Sequence, residues 1–233
     1  PSRSGPGAGD LHRRYGDDMI RFRLLAIALL LGCSVHRFGC AARITPAAAV
    51  QAPVAVYVVD YGRHSSLLLP IHDDEQANLA SRTTLREYSF GDWIYYAQDR
   101  DSIRDGARAM LWRSSGTLGR RELPGLGPAS DEAPIEPAAR IERTLGVQRV
   151  IPLVVSREAA SELLATLDQR FEAGRERGEP LSNPVVGLDF VIDDRDYSLG
   201  RHCNHEVRDW LNALGADAKG TPLVSEFKVV ERD

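Results

Sequence analysis

Fifteen residues near the amino terminus, Met19 to Cys33, decide how much of this 233-residue chain can belong to a folded domain. Met19-Ile20-Arg21-Phe22-Arg23 is short and basic, Leu24 to Leu31 is apolar throughout, and Gly32-Cys33 closes the segment. At about 1.5 Å per residue such a short apolar run falls far below the roughly 30 Å of hydrocarbon that a transmembrane helix must cross. The order of basic region, apolar run and small residue is instead that of a secretory signal. Residues 1–18 ahead of it are polar, contain several glycines and show no hydrophobic periodicity, so with Met19 as the start they are upstream sequence.

Leu30-Leu31-Gly32-Cys33 resembles the lipobox of bacterial lipoproteins, in which the chain is cut before the cysteine and the cysteine is lipidated. Cys40 follows Arg37-Phe38-Gly39, with a basic residue where that pattern has Leu, and matches poorly. The resemblance implies an upstream segment and signal over 1–32, a tether over 33–53 and a domain over 54–233. It also implies attachment to a membrane through Cys33 and a place in the bacterial cell envelope, facing the periplasm. Removing Arg3, Arg13, Arg14, Arg21 and Arg23 with Asp10, Asp17 and Asp18 takes 29 basic and 33 acidic residues to 24 and 30, a net charge of −6.

An acidic balance gives no support for a nucleic-acid partner, whose electrostatic footprint is basic. Hydrophobic content of 43% and charged content of 27% exclude a disordered chain, and three cysteines are too few for a disulfide scaffold. Residues 54–233 show no internal repeat and no linker, so a single α+β domain with a small antiparallel sheet packed on helices is expected.

Val54 to Asp60, bounded by Pro53 and Gly62, has the β-branched and aromatic content of a strand, and a second apolar run, Ser66 to Leu69, stops at Pro70. A short capped helix is expected from Asp73 or Asp74 through Ala80, and a second helix over Ser102–Trp112. Arg86–Phe90 and Trp93–Tyr96 alternate as strands flanking a turn at Gly91-Asp92. The segment 116–137 contains eight Gly or Pro residues and is expected to be mostly loop, with a short strand at Leu118–Leu123. Val147–Val155 fits a strand in which Pro152 favours either a sheet edge or a strand end. Ser156 then caps a helix with Ala160, Leu163, Leu164, Leu167 and Phe171 inward and Arg157, Glu162, Asp168, Arg170 and Glu172 in solvent. Further strands are expected at Val185–Val191 and Val224–Val230, with a hairpin turn at Asp193-Asp194-Arg195-Asp196, which lacks the ligand spacing of a calcium loop.

The chemistry concentrates in Arg201-His202-Cys203-Asn204-His205-Glu206-Val207. Val207, Trp210, Leu211 and Leu214 have helical spacing with Gly215 at the cap, and one turn back from Val207 stands Cys203. A thiol at a helix amino terminus meets free backbone N–H groups and the positive end of the helix dipole, which favour thiolate. A packed, inert cysteine is the competing assignment. His64, at the start of the apolar run after the first strand, can supply a base that the fold brings to the cysteine.

His64 and Cys203, with strand, His, strand first and a Cys-led helix near the end, resemble the circularly permuted branch of the NlpC/P60 papain-like superfamily. Cys203, His205 and Val207 match the Asn-Cys-Glu-His-Phe-Val motif of the lecithin:retinol acyltransferase-like proteins, whereas His202, Asn204 and Glu206 depart from it. The domain is also similar to uncharacterised bacterial envelope proteins with a Phe-Gly-x-Asp-like segment, here Phe90 to Trp93, and a Cys-Asn helix. The resemblance implies Cys203 as nucleophile, His64 as base and a third polar residue on the next strand. Asp92, Tyr88 and Glu87 are available for that role, and Asp92 is preferred because a carboxylate best orients an imidazolium.

The expected activity is therefore acyl hydrolysis or transfer on an amide or ester, with envelope peptides and acyl lipids as conceivable substrates and no cofactor. Two alternatives stand beside it. One is a non-catalytic binding or scaffolding lipoprotein on the same fold. The other is a zinc protein using His202, Cys203 and His205 with His64 approaching, although neighbouring helical residues point apart. The anchor is tested by mass: a mature chain that begins with a lipid-modified Cys33, lost in Cys33→Ser, is expected, and an unlipidated chain beginning upstream of Cys33 overturns it.

Overall fold

A computed structural model describes residues 41–62, 64–71, 82–97, 113–129, 132–220 and 225–231, which belong to one compact unit, Ala41–Asp233. The signal segment, Cys33, Cys40 and the two helices expected after Asp73 and Ser102 lie outside the described residues. The fold is α+β. Seven strands form one sheet in the order β6-β2-β3-β4-β5-β8-β7, where β2 is Pro53–Asp60, β3 Ser65–Ile71, β4 Thr84–Asp92, β5 Ser114–Leu123, β6 Arg149–Ser156, β7 Leu181–Asn183 and β8 Leu188–Tyr197. Every neighbouring pair in it is antiparallel. The sheet is larger than the small one expected from the sequence.

The central strands are covered on both faces. On one, Val56, Val58, Leu67, Leu69, Phe90 and Leu118 pack against helices α2 (Arg157–Arg177) and α3 (Cys203–Ala213). On the other, Tyr57, Val59, Leu68 and Leu85 pack against Ala138 and Ile141 of α1 (Ile135–Leu145). This is why β2 is apolar at consecutive positions instead of alternating. β6 is an edge strand, one of the two placements that Pro152 favours. In β3, Pro70 lies past the last residue paired with β2, so its missing N–H breaks no bond there.

Four expectations are corrected. The tether does not run to residue 53: Ala42–Thr45 is strand β1, which buries Ala42 and Ile44 and pairs with β9 (Asp217–Lys219) and, in parallel, with β10 (Phe227–Val229). A four-residue strand with only two apolar side chains inward has too little pattern to stand out. Residues 114–123 are one continuous strand, because Gly116 and Gly119 serve close packing: a Cβ on Gly116 would lie 2.8 Å from the Phe90 ring and one on Gly119 2.6 Å from Phe190. Helix α1 starts at Ile135, inside the expected loop, although Pro134 and Pro137 looked like loop, since a proline in the first turn lacks only an N–H that has no helical partner. Asp193–Asp196 lies inside β8 and forms no hairpin turn.

On the polar face of α2, Arg157, Glu162 and Glu172 are exposed as expected, but Asp168 and Arg170 are not free in solvent. Arg170 donates to Asp193 of β8 and to Glu206 of α3, and Asp168 accepts from Arg86, Tyr88 and Arg120 of the sheet. Ser156 caps this helix as expected, accepting from the N–H of Ala159 at 3.1 Å.

Two glycines separate close packing from mere flexibility. Gly116→Ala is expected to cost about 1–3 kcal/mol, the range of overpacking in a tight interior. Gly178→Ala, with nothing within 4 Å and extended backbone, is expected to stay within about 0.5 kcal/mol. Denaturant midpoints of the two variants check this, and equal losses would contradict the strand placement of Gly116.

Candidate functional site

Two chain segments meet at the start of β3. The first is the bend after β2, where Asp60 accepts from the N–H of Gly62 at 2.7 Å and from the Ser225 hydroxyl at 2.6 Å, and His64 O accepts from the N–H of Tyr61 at 2.9 Å. Gly62 stands at φ +89, which favours glycine there. These bonds fix His64 immediately ahead of Ser65. The second segment is the amino terminus of α3. His202 is extended at the cap position, and its carbonyl accepts from the N–H groups of His205 and Glu206 at 3.0 and 3.1 Å. Cys203 is the first helical residue, as the spacing predicts.

The segments are tied through Asn204. Its Oδ1 accepts from the Ser65 hydroxyl at 2.7 Å and from the Cys203 thiol at 3.4 Å. The Ser65, Cys203 and Asn204 backbone and the Tyr96 side chain act on the sulfur in the sense that favours thiolate. Tyr96 reaches both partners of the expected pair, because its ring centroid stands 4.7 Å from that of His64. No hydrogen bond joins Cys203 to His64 directly. The tie between the two runs through their chain neighbours, Ser65 after His64 and Asn204 after Cys203.

The side chain against the His64 imidazole is Ser89 and not Asp92. His64 Nε2 lies 2.7 Å from Ser89 Oγ on β4, and Nδ1 is buried without a partner among the described residues. Successive side chains of a strand face opposite sides, so Ser89 and Gly91 share one face of β4 and Phe90 and Asp92 the other. Asp92 instead accepts from the N–H of Tyr95 at 2.7 Å and from the Ser114 hydroxyl, stabilising a π-helical turn, Trp93–Ala97, where a strand was expected. Tyr96 packs back on Gly91, leaving no room for a Cβ. The other two options are also engaged: Tyr88 donates to Asp168, and Glu87 accepts from Tyr61, Ser66 and Arg121.

Ser65, Ser89, Tyr96 and Asn204 were missed by sequence reasoning. Ser65 and Asn204 adjoin the two singled-out residues, and Ser89 becomes visible once Ser66 is seen opposite it in the register. Tyr96 had no such signal, because its place depends on the π-turn.

His205 faces His202, with ring centroids 4.2 Å apart and edge-on, and both rings hold a buried nitrogen without a partner among the described residues. Among the described residues no three His, Cys, Asp or Glu side chains gather as a metal site would require. Burial lowers His64 to a pKa of about 4. Burial, then the neighbouring His205, His64 and Arg208, lowers His202 to about 3. Burial likewise raises the Cys203 thiol to about 11, outweighing the backbone and Tyr96 hydrogen bonds that favour thiolate. At neutral pH the resting site therefore holds a neutral thiol and neutral imidazoles.

Compared with protein-family models, with curated proteins and with solved structures, the chain has no match.

The buried imidazoles set a pH dependence. An imidazole whose folded value lies below its unfolded value of 6.5 is neutral in the fold and protonated in the unfolded chain once the pH drops below 6.5. Its contribution to stability is whole above pH 6.5 and is lost as the pH falls toward about 4 for His64 and about 3 for His202. Each loses at most about 1.4 kcal/mol per pH unit over its window. Unfolding midpoints between pH 8 and 4 are expected to show the decline, reduced in His202→Gln, and a flat profile would contradict the buried neutral rings.

Proposed function

We propose that the protein is a lipid-anchored envelope enzyme of papain-like, NlpC/P60-related character that hydrolyses or transfers acyl groups through Cys203. The observation that carries this reading is the tie between the two segments: Ser65, next in the chain to His64, donates to Asn204 Oδ1, which also accepts from the Cys203 thiol, while the Tyr96 ring packs on His64. A buried thiol tied through Asn204 and Ser65 to the segment that carries an imidazole is a constellation that structural packing alone does not require.

In this mechanism His64 Nε2–H donates to Ser89 Oγ, which leaves the lone pair on Nδ1, the nitrogen with no partner. Nδ1 takes the thiol proton as Sγ attacks the carbonyl carbon and the carbonyl π electrons move to oxygen. The N–H groups at the start of α3 and the Tyr96 hydroxyl stabilise that oxyanion. The protonated imidazole then gives its proton to the departing amine or alcohol as the carbon–heteroatom bond breaks, leaving an acyl-cysteine. Water or another acceptor attacks the acyl carbon as His64 removes its proton, and the carbon–sulfur bond then breaks as His64 returns that proton to the Cys203 sulfur. Ser89 is a positioning residue, since it acts through His64.

The raised thiol value and the 2% exposure of Cys203 favour a second reading, a binding or scaffolding lipoprotein in which the cysteine is packed and inert. A thiol-directed acyl probe separates the two. On the enzyme reading wild type is labelled stoichiometrically, Cys203→Ala not at all, and His64→Ala and Ser89→Ala roughly 100-fold and 10-fold more slowly. Equal labelling rates in wild type and His64→Ala would leave Cys203 an unassisted thiol and favour the scaffold.

A further inference from the structure

The hairpin of β7 and β8 closes the sheet edge with an uncharged, apolar turn. Leu181 to Leu188 holds no charged residue in a chain that is 27% charged. Val185 is 74% exposed, Val186 40% and Leu181 37%, so three of the eight exposed large apolar side chains among the described residues fall in this one short segment. Hydrogen bonds hold the turn in shape. Asn183, buried at its base, accepts from the N–H of Val185 at 3.0 Å through its side chain and from the N–H of Gly187 at 2.9 Å through its backbone carbonyl. Pro184 has no N–H, and the Val186 carbonyl accepts from Arg121 at 2.9 Å.

These bonds leave little of the turn's backbone for water to satisfy, so carrying it into an apolar medium strips few polar groups. Nearby charge is already committed, Arg121 to Glu87 and Asp189 to the Ser182 hydroxyl. Two adjacent exposed valines on so short a turn present a tip, which suits entry among lipid chains better than the broad contact that a stable protein interface needs.

The same residues reach the candidate site. Asn183 Nδ2 donates to the Tyr96 carbonyl at 3.0 Å, and Arg121 Nη2 donates to the Tyr61 hydroxyl at 2.9 Å. The Tyr96 and Tyr61 rings stand 4.7 and 6.0 Å from the His64 ring. Whatever seats the turn therefore also sets the direction in which His64 and its surroundings face.

We infer that the β7–β8 turn docks in a lipid bilayer, with Val185 and Val186 among the acyl chains, and that this seating fixes how the His64 and Cys203 site faces the membrane. The inference rests on the lipid-anchored reading of Cys33 and adds a second membrane contact to it. Two valines bind a bilayer weakly by themselves. Only eight residues separate Cys33 from β1, however, so an anchored domain meets the bilayer intramolecularly, at a high effective concentration.

The test uses the protein as purified from its membrane, the state of Cys33 read by mass, on phosphatidylcholine vesicles with brominated acyl chains. Tryptophan is placed on the turn by Val185→Trp and, as a control, on the exposed face of α2 by Glu158→Trp. A blue shift and bromine quenching are expected at 185 and neither at 158. Val186→Asp in the Val185→Trp background is expected to abolish both, because a charge is costly among acyl chains. In a second arm Cys203 is labelled by a thiol-directed acyl probe, either dissolved in water or carried in the vesicles. Val185→Asp is expected to slow the vesicle-borne probe roughly 10-fold relative to the dissolved one, the factor for keeping one valine out of an apolar medium. No quenching at 185 with lipid on Cys33, or equal quenching at 185 and 158, overturns the docking. Dimerisation lost in Val185→Asp, without quenching, also overturns it and gives the turn to a second copy. No lipid on Cys33 and no quenching remove anchor and docking together, whereas quenching at 185 without labelling of Cys203 removes the acyl chemistry and leaves the docking standing.

Discussion

One buried ionic cluster holds the two halves of the site in register. Arg170 of α2 donates to Asp193 of β8 at 2.7 and 3.0 Å and to Glu206 of α3 at 3.0 Å, and Arg195 completes the shell around Glu206. The Asp193 and Glu206 side chains are 0% and 1% exposed. Burying such charges is costly, and their mutual attraction roughly compensates, so the cluster gives orientation more than net stability. Apolar contacts between α2, α3 and the sheet would tolerate small rotations of α3; directed bonds to Glu206 do not. Because Glu206 is one turn from His202 and Cys203, fixing it fixes where the helix begins. Its negative charge near the helix amino terminus is also favourable against the helix dipole.

The cysteine sits between opposed influences. Helix N–H groups, the Ser65 backbone and Tyr96 lower its pKa, yet burial prevails and the thiol stays protonated. On the proposed acyl-transfer reading, a neutral thiol and a neutral imidazole would make proton transfer accompany attack instead of preceding it. The same burial would then keep water from the oxyanion and strengthen the hydrogen bonds aimed at it.

Much of this architecture was legible from residue pattern. The apolar run of β2, the cap at Ser156, the helix begun by Cys203 and the edge position marked by Pro152 all follow from local physics that tertiary packing reinforces. Where packing and local preference diverge, the sequence was misleading. Gly116 and Gly119 resemble loop residues because their purpose, room for Phe90 and Phe190, exists only across the sheet. Arg170 and Asp168 resemble surface residues because their partners are distant in the chain, on other elements. His64 and Cys203 could be singled out by chemistry and position, but Ser89 could not be chosen over Asp92 without the register of β3 against β4. That register turns one side chain toward the imidazole and sends the next to the opposite face.

Strand β1 also bears on where such a protein could work. Its pairing with β9 and β10 draws Ala42 into the fold alongside the carboxyl-terminal strands, so free chain ends earlier than the composition implied. With a lipid on Cys33, the leash to β1 would be residues 34–41, whose fully extended reach is about 30 Å. A domain on so short a leash would patrol only the layer next to the bilayer. Its encounters would then be set by what lies within that shell, a restriction imposed by the four residues of β1 and not by the site.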